Sequence, residues 1–420
     1  MRTLKIALVS GSYWAEHDRH EHQHQEGGDI QQLAEAVAAL GHEVVVFSRS
    51  PQVGKLRKSQ VGLLETWLVP RHKPRDFMSG LRDWTGRRTY SYDRLNSDAL
   101  WFREFLGVNR NRFDVIWAHT ESPDGLVVGM AGKLGTKMPP VLTQVQALRQ
   151  RFEKGQPVFI DQEALGLSFR RAARILAASE MVAHYLPAYA GSGLTAEALK
   201  QKIHIVHPNL QRIFLRVAQD TAPLPQPMND RVLFLGELNQ ARGALVFLAA
   251  IAKTQAALRN STFPVIGDFT DFDSRFGHRW EQAKEEARIR MPGARMEFLG
   301  RVSPYEVMRQ ILLARIVVIP ALFNPFSRGV LETLILGRPV ITTDKVGSAA
   351  LVQAHDCGLV VASHNSTTLA EAIDLALNTT NNYAENARRV AKRLIHDFSP
   401  EAIAIQVALH LSEIAAPPKR

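Results

Sequence analysis

Residues Arg315–Gly347 read RIVVIPALFNPFSRGVLETLILGRPVITTDKVG. The apolar run Arg315–Pro320 predicts a strand, and the proline- and serine-bearing stretch after it predicts a loop. A helix follows through Glu332 to Leu336, stopped by Gly337-Arg338-Pro339, and a second strand then carries Val340–Thr342 into Asp344 and Gly347. Strands that are apolar without alternation, joined through a helix, belong in a parallel sheet covered on both faces.

The same rhythm extends in both directions. Toward the amino terminus, strands are expected at Leu4–Val9, Glu43–Ser48, Asp114–Ala118, Val141–Val145, Arg174–Ala178 and Ile203–Val206. Around the quoted stretch they are expected at Val232–Leu235, Phe263–Ile266, Arg295–Leu299, Arg315–Pro320, Pro339–Thr342 and Gly358–Val361. Six and six, mostly followed by helices, predict two doubly wound, Rossmann-like α/β domains. Between them Val217–Asp230 (VAQDTAPLPQPMND) is proline-rich and poor in apolar residues, as a linker should be. The expected division is 1–216, a linker 217–230, a second domain 231–398, and a helix with tail at 399–420. Ser399-Pro400-Glu401 is a helix-start signal for that last segment.

Composition narrows the chemistry. With 420 residues, 45% hydrophobic and 22% charged, the chain is globular and too long for one ordinary domain. The single Cys357 excludes an internal disulfide framework and a multi-cysteine zinc site. No apolar run approaches the roughly 20 residues that span a bilayer. The amino terminus reads as a strand, and a cytoplasmic protein is expected. Lys+Arg 51 against Asp+Glu 41 leaves +10, which invites an anionic partner. No helix-turn-helix, zinc-knuckle or RRM aromatic pattern accompanies that charge, so nucleic acid is not expected. Lys55–Arg112 holds 13 Lys/Arg and 6 Asp/Glu, with Phe77, Met78, Trp84 and Tyr90 among the cations. Such a stretch suits either an anionic membrane or a solvated basic face.

Three constellations carry candidate chemistry. Gly27-Gly28 precede an amphipathic helix, either as a tight turn or as backbone that faces an anion. His17, His20, His22 and His24 lie in the loop before it; no helical metal-ligand pairing is evident, and a polar lid is the preferred reading. Gly236 through Gly243, ahead of a helix expected over Ala244–Ala257, places Arg242 where a strand end and a helix start could hold a diphosphate. In the quoted stretch, Glu332 falls one turn into its helix, where a carboxylate can accept hydroxyl hydrogen bonds.

Taken together, these segments resemble the GT-B glycosyltransferases, specifically the retaining family 4 enzymes, over nearly the whole chain. The resemblance is carried by Gly27-Gly28 with Gly41-His42-Glu43-Val44, Asp114–His119, Pro208-Asn209, Phe234-Leu235-Gly236 with Arg242-Gly243, Phe298–Val302, and Pro320 through Gly347. It implies two Rossmann-like domains facing across a cleft, with a C-terminal helix returning to the first. It also implies a nucleotide-diphosphate sugar as donor, no metal or other cofactor, and a glycan or lipid-linked acceptor on the first domain. Glu332 then matches the ribose-binding second glutamate of the family's paired-glutamate motif, and Gly300, Arg301 and Val302 match the base-reading loop. Arg242 stands where a lysine holds the diphosphate, and Phe326, Ser327, Arg328 and Gly329 lie where phosphate and sugar are cradled. Gly28 and Gly236 match the two phosphate-side glycines, and His119 falls within the matching first-domain strand end.

Several positions depart from the family pattern. Asn324 replaces the first glutamate, Gln146 a histidine, Glu237 the usual diphosphate arginine, and Leu210-Gln211-Arg212 the residues after Pro208-Asn209. Asn324 and Gln146 retain hydrogen-bonding capacity toward a sugar. Glu237 is expected to repel phosphate, with Arg328 or Arg301 supplying the missing cation. The principal expectation is hexosyl transfer with retention in glycan or glycoconjugate biosynthesis, led by Arg242, Arg328 and Glu332. The alternative is a non-catalytic GT-B protein that binds a nucleotide sugar or a protein partner.

Overall fold

The computed structural model describes the chain except residues 1, 12–25, 51–54, 71–91, 109–111, 136, 149, 154–155, 160–161, 191–192, 220–224, 229, 256–260, 269–273, 291–294, 379–381 and 416–420. It divides into two units. The first comprises Met1–Arg149, Phe159–Gln211 and Pro400–Arg420, and the second comprises Gln150–Val158 and Arg212–Ser399. The helix Arg212–Gln219 groups with the second unit and covers the first residues of the stretch read as a linker.

The first unit is built on β1 (Lys5–Val9), β2 (Glu43–Ser50), β3 (Arg57–Val61), β4 (Leu64–Pro70), β5 (Val115–Ala118) and β6 (Val141–Val145). The chain then adds a small pair, β7 (Gln150–Glu153) and β8 (Gln156–Phe159), before β9 (Ala172–Ala177) and β10 (Ile203–Ile205). Among the described residues the main sheet runs β10-β9-β6-β5-β1-β2-β4-β3. It is parallel except where β3 pairs antiparallel with β4 through a two-residue turn, with Gly62 at φ 57°. Sequence reading missed β3, β4, β7 and β8. The edge strand β3, RKSQV, is exposed throughout and gives no apolar signal.

Each face of this sheet is covered. On one face Leu33 and Val37 of helix Glu26–Ala39 pack with Ile403, Val407 and Leu411 of helix Pro400–Ala415 against Ile6, Leu8 and Trp117. On the other, Phe102 and Phe105 meet Phe47 at ring-centroid distances of 5.2 and 5.4 Å. The last helix is therefore part of the first unit's core. Arg174 ties it further, donating to His410 Nδ1 at 2.7 Å and to Glu413.

The second unit holds β11 (Val232–Leu235), β12 (Thr262–Ile266), β13 (Arg295–Gly300), β14 (Ile316–Ile319), β15 (Val340–Thr343) and β16 (Gly358–Val361). Their order is β13-β12-β11-β14-β15-β16, all parallel. The strand order reverses between β11 and β14, and in such sheets ligands bind outside the carboxyl ends at that switch point. The quoted stretch forms β14, helix Arg328–Ile335 and β15. The helix after β11 is shorter than its apolar content suggests. It ends at Ile251, whose carbonyl accepts Thr254 Oγ1 at 2.9 Å, instead of running to Ala257.

Candidate active site

At the carboxyl edge of the second sheet, backbone contacts gather the segments that follow β11, β12, β13, β14 and β15. Gly243 lies at φ 73°, and a β-carbon there would stand 1.9 Å from Pro320 O. Only glycine lets the start of helix Ala244–Ile251 approach the end of β14 this closely. Ala241 O accepts Leu322 N at 2.8 Å, which fastens the two loops together. Gly267 N donates to Gly300 O at 3.0 Å, tying β12's end to β13's.

The loop Pro320–Ser327 is held just as firmly. Asn324 is buried, its N–H donates to Lys345 O at 2.9 Å, and its carbonyl accepts Gly347 N at 2.9 Å. Ser327 precedes helix Arg328–Ile335 with extended backbone, and its carbonyl accepts Ser348 Oγ at 3.1 Å. Gly329 fits against Leu235 and Ile319, where a β-carbon would press to 3.1 and 3.3 Å. Phe326 leans on Phe398 with ring centroids 6.3 Å apart.

Arg328 begins this helix and Glu332 follows one turn later. No described residue hydrogen-bonds the Glu332 carboxylate. Burial pushes its pKa up to about 7, against the opposing pull of the Arg328 charge. A carboxylate so placed keeps its acceptor capacity for hydroxyl groups arriving from outside.

Arg242 is paired differently from expectation. Its Nε lies 3.4 Å from Glu237 Oε2, and Asn239 Nδ2 donates to that same oxygen at 3.1 Å. Glu237, expected to repel phosphate, is thus ion-paired with Arg242. Gly300 ends β13 at φ 65°, with Arg301 exposed and Val302 half-buried beyond it. From β13 to β14 is three strand spacings, about 14 Å. Gly236, Arg242, Gly300, Arg301, Val302, Asn324, Phe326, Ser327, Arg328, Gly329 and Glu332 therefore all lie along one edge.

In the first unit the structure brings His119 and Gln146 together. Gln146 Nε2 lies 2.8 Å from His119 Nε2, and Ser10 Oγ lies 3.4 Å from His119 Nδ1. With the amide as donor, this network assigns the ring proton to Nδ1. Burial pushes the His119 pKa down to about 3, so the imidazole is neutral at physiological pH. Gly28 is a correction. The helix starts at Glu26, so Gly28 sits inside its first turn and not in a loop ahead of it. The histidines at 17, 20, 22 and 24 and the basic stretch 71–90 lie outside the described residues.

Sequence reading missed a buried ionic group next to His119. Arg49 donates to Asp98, and its Nη2 lies 3.4 Å from Asp124 Oδ1. Asp124 also accepts Gly11 N at 2.8 Å and Thr120 Oγ1 at 2.9 Å. Burial raises the Asp124 pKa even though Arg49 and these donors pull it down. Among the described residues no group of three His, Cys, Asp or Glu side chains is arranged to hold a metal.

Comparison with known proteins bears on this geometry directly. Residues 29–197 match the glycosyl transferase 4-like domain, and residues 219–393 match the glycosyl transferases group 1 family. The chain is a GT-B glycosyltransferase of the family 4 type. This glycosyltransferase is 22% identical to a glycogen synthase of Mycobacterium tuberculosis, over 91% of its own length and 89% of the relative's. Its fold is similar to a UDP-forming α,α-trehalose-phosphate synthase from Burkholderia vietnamiensis, with TM-score 0.73, 12% identity and coverage of 98% and 100%. It is also similar to Anabaena Alr3699/HepE in complex with UDP and glucose, with TM-score 0.65, 15% identity and coverage of 97% and 99%. Among the described residues of this glycosyltransferase, no helix is long and apolar enough to cross a membrane.

Proposed function

We propose that this glycosyltransferase moves a hexosyl unit from a nucleotide-diphosphate sugar to an acceptor hydroxyl with retention at the anomeric carbon. The observation that carries this reading is the half-buried Glu332 carboxylate, which accepts no hydrogen bond from a described residue at the β11/β14 switch point. A pair of ribose hydroxyls would satisfy it. Arg301 and Val302 follow β13 on the same carboxyl edge, on the side of β11 away from β14, where a loop could read the base of a nucleotide whose ribose meets Glu332. UDP in the names of two structural neighbours supports the same donor class.

In the proposed reaction the acceptor oxygen bonds to the anomeric carbon as the bond from that carbon to the phosphate oxygen breaks. The acceptor's proton passes to an oxygen of the departing diphosphate. Nothing in this scheme requires a nucleophile from the chain. The protein contributes position and cations that stabilise charge growing on the leaving group. Arg242 and Arg328 take that role. Asn324 and Gln146 orient sugar hydroxyls, and neutral His119, bonded to Gln146 Nε2, holds that amide toward the sugar without adding charge. The acceptor is proposed to be a glycan or a lipid-linked glycan in glycoconjugate synthesis, with the basic segment within Lys55–Arg112 meeting anionic lipid at a cytoplasmic membrane face.

Incubation with UDP-, GDP- and ADP-hexoses, followed by product stereochemistry, tests the reading. Turnover of one donor with a retained anomeric configuration is expected. Nucleotide binding without hydrolysis or transfer would favour a non-catalytic sugar-nucleotide binder instead. Sedimentation with anionic and neutral liposomes across a salt series tests the membrane contact, which should weaken as salt rises.

A further inference from the structure

The loop after β11 contains a built counter-ion for its own cation. Glu237 Oε2 receives Asn239 Nδ2 at 3.1 Å and Arg242 Nε at 3.4 Å. Asn239 is itself fixed, because its Oδ1 accepts the backbone N–H of Arg242 at 2.8 Å. One asparagine therefore holds both the turn and the carboxylate. The pair is half open to solvent, with side-chain exposure of 31% for Arg242 and 48% for Glu237. At that exposure an ion pair is weak, so an arriving anion can compete for the guanidinium.

We propose that Glu237 is a positioning residue that occupies Arg242 in place of the diphosphate, lowering affinity for the donor and for the nucleoside diphosphate product. This rests on the donor reading above. A diphosphate next to Arg242 meets the Glu237 charge as a repulsion, and the same repulsion assists departure of the product once transfer is complete. Neutralising Glu237 should thus tighten binding in proportion to phosphate charge and only while Arg242 is present. Raised salt should shrink the difference.

The test is calorimetric titration of UDP, GDP, ADP and the corresponding nucleosides into wild type, Glu237→Gln, Arg242→Ala and the double variant, at low and high salt. Glu237→Gln should bind the preferred nucleoside diphosphate about three- to tenfold tighter at low salt, the scale of removing one exposed competing charge. The nucleoside should bind unchanged, and the gain should vanish in the Arg242→Ala background. Equal or weaker binding by Glu237→Gln, or an equal gain without Arg242, overturns the proposal while leaving the donor reading intact. If neither wild type nor Glu237→Gln binds any nucleotide, the donor reading fails and this proposal falls with it.

Discussion

At the carboxyl edge of the first sheet, Arg49 bonds Asp98 and approaches Asp124, while Gln146 and Ser10 close both nitrogens of His119. At the same edge of the second sheet, backbone carbonyls and glycines draw the loops together, and Glu332 is left with no hydrogen-bonding partner among the described residues. Both edges are dense with polar groups. The first pairs Arg49, Asp98, Asp124 and His119 internally, so these buried groups stabilise the loops that carry His119. The second fixes its loops through main chain and keeps side-chain capacity for a ligand. Substitutions should therefore register as stability on the first edge and as donor kinetics on the second, except where the second edge's backbone packing is broken.

The largest effect should follow Arg49→Met. It leaves Asp98 and Asp124 buried without their cation, and breaking one side of a buried ionic group costs about 3–5 kcal/mol. Denaturant unfolding should show that loss, with part of it restored by adding Asp98→Asn. An unchanged midpoint would mean that the first edge is not held by this group.

Gly243→Ala should come next, at about 3 kcal/mol. The added β-carbon meets Pro320 O while the residue is forced to keep φ 73°, so strain and overpacking combine. This is the exception in the second unit, where backbone closeness is itself the structural element. A variant with wild-type Tm would show that the two loops can separate without penalty.

The smallest effects separate ligand from fold at Glu332. Glu332→Ala should raise the donor KM and lower kcat/KM by about 2–3 kcal/mol, the size of one or two charge-assisted hydrogen bonds. Glu332→Gln should have a pH-dependent effect on stability. The native carboxyl holds its proton up to about pH 7, whereas the unfolded chain releases it near 4.5. Its stabilisation is thus complete below about 4.5 and lost as pH rises through 7. Near pH 4 the variant should match wild type, and at pH 8 it should be more stable by up to about 2 kcal/mol, reduced by partial solvent access. A difference independent of pH would remove the half-buried carboxylate from the comparison.

The strands of both main sheets, apart from β3 and β4 at the first sheet's edge, were legible because runs such as Ile316–Ile319 are buried on both faces and read as unbroken apolar segments. The second edge was equally legible, since its residues follow strand ends in short, ordered loops. Asn324, Glu332 and Gly329 come from one such loop and helix. The first edge was not. Arg49, Asp98 and Asp124 are far apart in sequence, and each reads singly as a surface charge until the sheet brings β2 and β5 on either side of β1. The Glu237–Arg242 contact escaped for another reason. Four residues lie between the two, and only the turn held by Asn239 folds one charge onto the other.

The position of helix Pro400–Ala415 has a consequence for how the chain is made. Ile403, Val407 and Leu411 complete one layer of the first unit's core, yet the ribosome adds them after all of β11–β16. A nascent first unit must wait with Leu33, Val37 and Trp117 lacking their cover while the second unit is translated. Vectorial synthesis thus finishes the second unit before the first. A premature stop after Ser399 would leave the nascent product with an uncovered apolar face, a target for chaperones and proteases.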